Sequence, residues 1–290
     1  MPAERERLSV RKTYKLYIGG DFPRSESGRS YPATDGDGQV VARVARASRK
    51  DLREAVRAAR SAFPGWSAAT PYNRGQVLYR VAELMEGRRD QFVEEVRRAG
   101  AKDPEAGVDA SIDRWVWYAG WADKIHHVLG TVNPVAAPYF NFTIPEPTGV
   151  VGVVAPPDAP LLGLVSRLAP AVISGNCTVV VASERWPLPA VTLAEVLATS
   201  DVPGGVINIL TGYTAELVPW LAGHMDVNAI DITGIPEDQR ADVERLAAEN
   251  VKRIVRAEEG QTDWLDERAQ SPYTVTALME MKTVWHPMGA

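Results

Sequence analysis

Apolar side chains recur at helical spacing soon after the N-terminus. Between Arg49 and Phe63 they fall at Leu52, Ala55, Val56, Ala59 and Phe63, which predicts an amphipathic helix over that stretch. Ser48 stands before it as an N-cap, with Asp51 three residues on to return the hydrogen bond. Thr70-Pro71 opens a second helix in the same way, with a proline at the first helical position, where its missing N–H is harmless. That helix carries Val77, Leu78, Val81, Leu84 and Met85. Residues 91–99 and 106–128 continue the helical pattern. Upstream, residues 14–22 alternate around Gly19-Gly20, which predicts a hairpin.

The pattern then changes period. Residues 138–155 are β-rich around Pro145, Pro147 and Gly149 and read as two strands or a hairpin. Strands are predicted at 150–155, 178–182, 206–210 and 227–233, separated by helices at about 160–173, 187–199 and 213–222; helix 236–249 and strand 251–256 follow. Such βαβ repetition predicts an α/β fold, a doubly wound, Rossmann-like parallel sheet with helices on both faces, preceded by an N-terminal helical region. Residues 258–271 are polar and read as a loop or short helix. The tail over 271–287 alternates roughly and is β-prone throughout, including Tyr273, Val275, Leu278, Val284 and Trp285. No internal repeat or low-complexity tract interrupts the chain.

Composition narrows the function classes. Of 290 residues, 45% are apolar and 24% charged, enough for a sizeable core. A net charge of −5 argues against a nucleic-acid partner, whose footprint is basic. No apolar run approaches the length of a membrane span, and the charged N-terminus lacks the apolar core of a signal peptide. The expectation is a cytoplasmic protein with no membrane partner. A single cysteine, Cys177, excludes an internal disulfide and a cysteine-cluster metal site. His126 and His127 diverge by about 100° on a helix, and no metal-ligand spacing occurs, so no metal is expected. Trp117 and Trp121 share a helix face, with Trp115 and Tyr118 nearby, as a core or interface stripe.

Several stretches in one order, covering nearly the whole chain and including residues 16–22 and 138–155, carry a family resemblance. Residues 156–190 hold Pro156, Pro160, Ala169-Pro170, Gly175-Asn176, Ser183-Glu184 and Pro187 in the order of an aldehyde dehydrogenase cofactor region. Residues 204–212, 224–234 and 247–253 resemble the strands that follow in that family. The resemblance implies a dinucleotide cleft with remnant contacts at Ser183, Glu184, Gly212, Thr233 and Gly234. It also exposes departures. The family's oxyanion-binding Asn falls on Asp158, which when ionised has no donor. The ribose-binding Lys falls on Val181. The turn after Gly212 continues Tyr213-Thr214-Ala215-Glu216, with a carboxylate where pyrophosphate would approach, and reads more simply as a structural turn that binds nothing. The family's general base falls near Ala257 to Glu259, with Glu258 as a shifted candidate. Beyond residue 260 the family would supply a long domain bearing the catalytic cysteine; here about ten residues lead to a tail that resembles the family's C-terminal strand, so the resemblance implies that this domain is absent. Cys177, at a strand entry after Gly-Asn, reads as a buried structural residue rather than a substitute nucleophile.

The resemblance divides the chain into four parts. Residues 1–137 form a hairpin and helical part, 138–155 a β oligomerisation hairpin, 156–260 the Rossmann-like part, and 261–290 a linker and C-terminal oligomerisation strand. It implies a structural or regulatory subunit without a catalytic residue, forming a homodimer or a heteromer with a full-length aldehyde dehydrogenase. No cofactor is expected to bind tightly; a functional cleft would take NAD or NADP. The alternatives are an NAD(P)-dependent aldehyde oxidoreductase active only within a complex, and a regulatory dinucleotide-binding module.

Overall fold

The computed structural model describes residues 10–256 and 262–289. The chain opens with three short strands, β1 (Thr13–Tyr14), β2 (Ser30–Thr34) and β3 (Val40–Ala45). Helices α1 (Arg49–Ala68), α2 (Pro71–Glu86), α3 (Arg89–Arg98), α4 (Pro104–Ala119) and α5 (Ile125–Leu129) follow. Next come β4 (Thr131–Asn133), β5 (Tyr139–Pro147) and β6 (Val150–Val154). The alternating part runs α6 (Leu162–Ile173), β7 (Cys177–Val181), α7 (Leu188–Thr199), β8 (Ile207–Leu210), α8 (Thr214–Ala222), β9 (Ala229–Asp231), α9 (Glu237–Ala248) and β10 (Arg253–Val255). A 3-10 turn at Glu267–Ala269, α10 (Pro272–Thr276) and β11 (Met279–Pro287) complete it.

The central sheet is parallel, in the order β10-β9-β6-β7-β8. The chain winds outward from β6 through α6, β7 and α7 to β8, then returns through α8 to lay β9 on the other side of β6. That reversal puts α6 and α7 on one face and α8 and α9 on the other. Helices α2, α3 and α4 stack outside α6 and α7, while α1 joins α8 against the opposite face. Strands β6 and β7 are buried at every position, as a doubly covered parallel sheet requires. The doubly wound α/β class and the strand and helix order agree with the sequence reading to within a few residues.

Caps explain the helix starts. Ser48 Oγ accepts from the Asp51 amide at 3.3 Å, and Asp51 Oδ2 accepts from the Ser48 amide at 2.7 Å. Thr70 Oγ1 accepts from the Asn73 amide at 3.2 Å ahead of Pro71. Helix α1 runs past Phe63 and through Pro64 to Ala68. Trp66 holds that last turn, buried and donating from Nε1 to the Val172 carbonyl at 3.0 Å. The helix expected over 106–128 breaks at Gly120, which caps α4, and restarts as α5.

Three further readings are corrected. Of the two readings of residues 138–155, two strands or a hairpin, the first holds and the hairpin is overturned, because the two strands lie in different sheets. Gly149, at φ +135°, turns the chain so that β5 joins the antiparallel sheet β11-β5-β4 while β6 becomes the middle strand of the parallel one. The tail is not β throughout: Pro272–Thr276 is helical, capped by Ser271 Oγ, and buries Val275 and Leu278 in the core. Only Met279–Pro287 is strand, paired along its whole length with β5 from Met279↔Pro147 to Pro287↔Tyr139. The 14–22 hairpin is reduced to one bridge, Ile18↔Asp21, across Gly19 and Gly20 at φ +66° and +92°. Its neighbour Tyr17 bridges Ile209 at the edge of β8, and the small sheet β1-β3-β2 was not foreseen.

Candidate functional site

A doubly wound sheet presents its ligand crevice at the carboxyl ends of the strands, beside the point where strand order reverses. Here that end carries a cleft of about 510 Å³. Its walls come from the segments after β6 (Ala155, Pro157), β7 (Ser183, Glu184, Arg185), β8 (Tyr213, Thr214, Ala215) and β9 (Gly234, Pro236), with Gln239 on α9. Strand β2 contributes Tyr31, Pro32 and Thr34.

The chain itself satisfies much of the polar capacity of this cleft. Tyr213, the N-cap of α8, provides no side-chain cap, and the carboxylate of Glu184 takes that role, accepting from the Thr214 amide at 2.9 Å. Glu216, in the first turn of α8, is paired with Arg46, whose Nε donates to Oε2 at 3.1 Å. The Arg46 guanidinium lies over the Tyr213 ring at 4.5 Å, and the Tyr213 and Tyr31 rings meet at 5.3 Å. Burial, then the nearby Glu184 carboxylate, raise the pKa of the Tyr31 hydroxyl; the Gly212 amide beside it opposes them.

Of the sequence-predicted contacts, Ser183, Glu184 and Gly234 line the cleft. Ser183 is buried and serves the backbone: its hydroxyl accepts from the Trp186 amide at 3.1 Å and donates to the Pro157 carbonyl at 3.4 Å. A side chain at Gly234 would place Cβ 2.3 Å from the Ala155 carbonyl oxygen, so glycine is required by close backbone approach. Gly212 stands behind the wall, where a Cβ would meet Leu217 at 2.9 Å. Thr233 donates its amide to Asp231 Oδ1 at 2.9 Å, and its buried Oγ1 has no partner among the described residues. Val181 is fully buried in β7 and does not line the cleft. Asp158 is exposed in the loop between β6 and α6, outside the cleft lining. Glu258 lies outside the described residues.

Cys177 begins β7 with no exposure to solvent, and burial pushes its thiol up to about 12, with Arg60 acting weakly the other way. A thiol so placed is neither ionised near neutral pH nor reachable by a substrate. Beside the strand-order reversal, Asp231 closes β9 fully buried and is paired with Arg167 of α6 at 2.6 Å. Among the described residues, no group of three or more His, Cys, Asp or Glu gathers as a metal site, and no helix is long and apolar enough to cross a membrane.

Sequence reading missed Tyr31, Arg46, Tyr213 and Arg167. The tyrosines left a weak signal, one on an unrecognised strand and one in the turn after Gly212. Arg46 and Arg167 left none, because their partners Glu216 and Asp231 are 170 and 64 residues away.

Comparison with known proteins fits this geometry. The aldehyde dehydrogenase family profile matches residues 24–265. Retinal dehydrogenase 2 of Homo sapiens is 34% identical over 264 residues, covering 88% of this chain and 50% of its own length. The crystal structure of HpcC from Thermus thermophilus superposes with a TM-score of 0.81 at 31% identity, over 86% of this chain and 49% of that one. The aldehyde dehydrogenase of Bacillus cereus, solved as its NAD+ complex, gives a TM-score of 0.77 at 26% identity, over 84% of this chain and 50% of that one. The chain thus spans about half the length of the curated relatives it matches. With its doubly wound sheet, its cleft and these relatives in view, this chain belongs to the aldehyde dehydrogenase family.

Proposed function

We propose that this chain is a non-catalytic member of the family, a structural or regulatory subunit that assembles with itself or with a full-length aldehyde dehydrogenase. The observation that carries the reading is Cys177. It is the only cysteine of the sequence, and it is sealed inside the parallel sheet with its pKa pushed up to about 12. Covalent aldehyde chemistry of this family's kind needs an accessible thiolate beside oxyanion donors. Asp158, where the family has an oxyanion-binding Asn, is exposed in the loop after β6, and a carboxylate offers no N–H to an oxyanion.

Assembly is supported by the antiparallel sheet. Its outer strand β11 is exposed from Met281 to Pro287, with Trp285 at 57% and Val284 at 38%. Tyr139 and Phe140 on β5 and Val132 on β4 are exposed too. Long, partly apolar edge strands of this kind are templates for pairing with another chain. We place the protein in the cytoplasm.

Purified chain should give no NADH or NADPH with a panel of aldehydes, and should run above monomer mass in light scattering, alone or with a full-length relative. Turnover abolished by Cys177→Ala would overturn the non-catalytic half. A monomer under both conditions would overturn the assembly half. A second reading, an NAD(P)-dependent oxidoreductase completed by a partner, is favoured by the survival of the cleft. NAD+ titration by calorimetry separates the two. The first reading expects weak or no binding, and micromolar affinity would favour the second, or a regulatory dinucleotide module.

A further inference from the structure

We infer that residues 262–274 form a strap closed over helices α4 and α6, anchored at its C-terminal end by the buried Val275 and Leu278 and latched by the guanidinium of Arg114, and that it lifts from this anchor while the rest of the fold stays intact. The starting observation is Arg114 itself. It is 3% exposed, yet none of its partners among the described residues is a carboxylate. Its Nη2 donates to the Trp264 carbonyl at 2.9 Å. Its Nη1 donates to the Ala269 carbonyl at 3.2 Å and to Ser166 Oγ of α6 at 2.5 Å. One turn further along α4, the Tyr118 hydroxyl accepts from the Ser271 amide at 3.4 Å.

The strap and its anchor are held by different forces. In the anchor Val275 and Leu278 are fully buried, and the Leu278 carbonyl accepts from Thr148 Oγ1 at 2.8 Å and Asn176 Nδ2 at 2.9 Å. From Thr262 to Thr274 no side chain is fully buried, and Leu265 and Tyr273 are 51% and 78% exposed. Among the described residues, polar ties to Arg114 and Tyr118 join this part to α4, with little apolar burial behind them. Burying a cation against neutral acceptors offsets only part of its desolvation, so lifting the strap returns the charge to water at modest cost. Segments with few buried apolar contacts open below the free energy of global unfolding.

Hydrogen–deuterium exchange of the whole chain tests this without reference to catalysis or assembly. Amides in 262–274 should exchange together and ahead of α6 and β7. In Arg114→Met they should exchange about tenfold faster, as loss of a charge-assisted bond allows, while α6 and β7 keep their protection. Unchanged exchange of 262–274 in Arg114→Met, or exchange in step with α6 in the parent chain, would overturn the inference. Should Arg114→Met not fold, Tyr118→Phe removes a tie without leaving a cavity. It should give a smaller acceleration confined to the strap, and no acceleration would refute the latch.

Discussion

Raising the pH towards neutrality should weaken the fold at one carboxyl group. Glu95, on α3, is 8% exposed at the contact with α7. Its Oε1 accepts from Thr192 Oγ1 at 2.7 Å and from Gln91 Nε2 at 3.4 Å, while the buried Oε2 has no partner among the described residues. Burial pushes this carboxyl from an ordinary 4.5 up to about 7; Thr192 and Gln91 oppose the rise, Glu195 adds to it, and Arg98 opposes it from the same helix. The folded state thus holds the proton more tightly than the unfolded chain. The resulting stabilisation is complete below about 4.5 and is lost as pH rises through about 7. At about 1.4 kcal/mol per pH unit, that gap corresponds to roughly 3 kcal/mol. Glu95→Gln keeps the shape and an oxygen for Thr192 but cannot ionise. It should match the parent near pH 4 and exceed it by up to about 3 kcal/mol near pH 8. Urea unfolding of both proteins across that range measures the difference directly. A difference that stays constant with pH would refute the assignment of the titration to Glu95.

Two further outcomes follow from buried geometry. Arg167→Met leaves the Asp231 carboxylate fully buried and unpaired, and should cost about 3–5 kcal/mol in urea unfolding. The double variant Arg167→Met/Asp231→Leu should recover most of that loss, and a double variant as unstable as the single would refute the argument. Gly234→Ala forces Cβ towards the Ala155 carbonyl at 2.3 Å and should cost roughly 1–3 kcal/mol. A loss of only a few tenths would show that the β9 turn is free to move.

The sequence made the parallel sheet legible because its strands and helices differ in period and each helix start carries a local cap. Ser48 with Asp51 and Thr70 with Pro71 are signals a few residues long, and both proved correct. Readings failed where a long-range partner decided the outcome. Residues 138–155 look alike along their length, yet Gly149 sends β5 to meet β11 and β6 to meet β7, and pairing between distant strands leaves no local trace. Val275 and Leu278 sit in a stretch whose alternation suggests strand. The stretch coils because Pro272 and the Ser271 cap start a helical turn and both apolar side chains find the core. The cleft was partly legible for the same reason. Ser183, Glu184 and Gly234 belong to turns with local logic, whereas Tyr31 and Arg46 reach the site from a separate sheet and loop.

The electrostatics of the cleft also differ from what the sequence implied. Glu216 was the expected obstacle, a carboxylate in the first turn of the helix that phosphate would approach. In the structure it is paired with Arg46, whose guanidinium also lies over the Tyr213 ring. The group that occupies the helix terminus is Glu184, brought from the end of β7 to accept from the Thr214 amide. A helix N-terminus favours negative charge whether the charge comes from a ligand or from the chain. An anion arriving there must displace a carboxylate already bonded to the amide, and must do so beside that carboxylate's own charge. Two contacts, Arg46 with Glu216 and Glu184 with the α8 amide, therefore hold the chain together around this helix end. On the reading proposed above, the contacts that tie the small sheet and its loop to the parallel sheet compete with anion binding for one helix end.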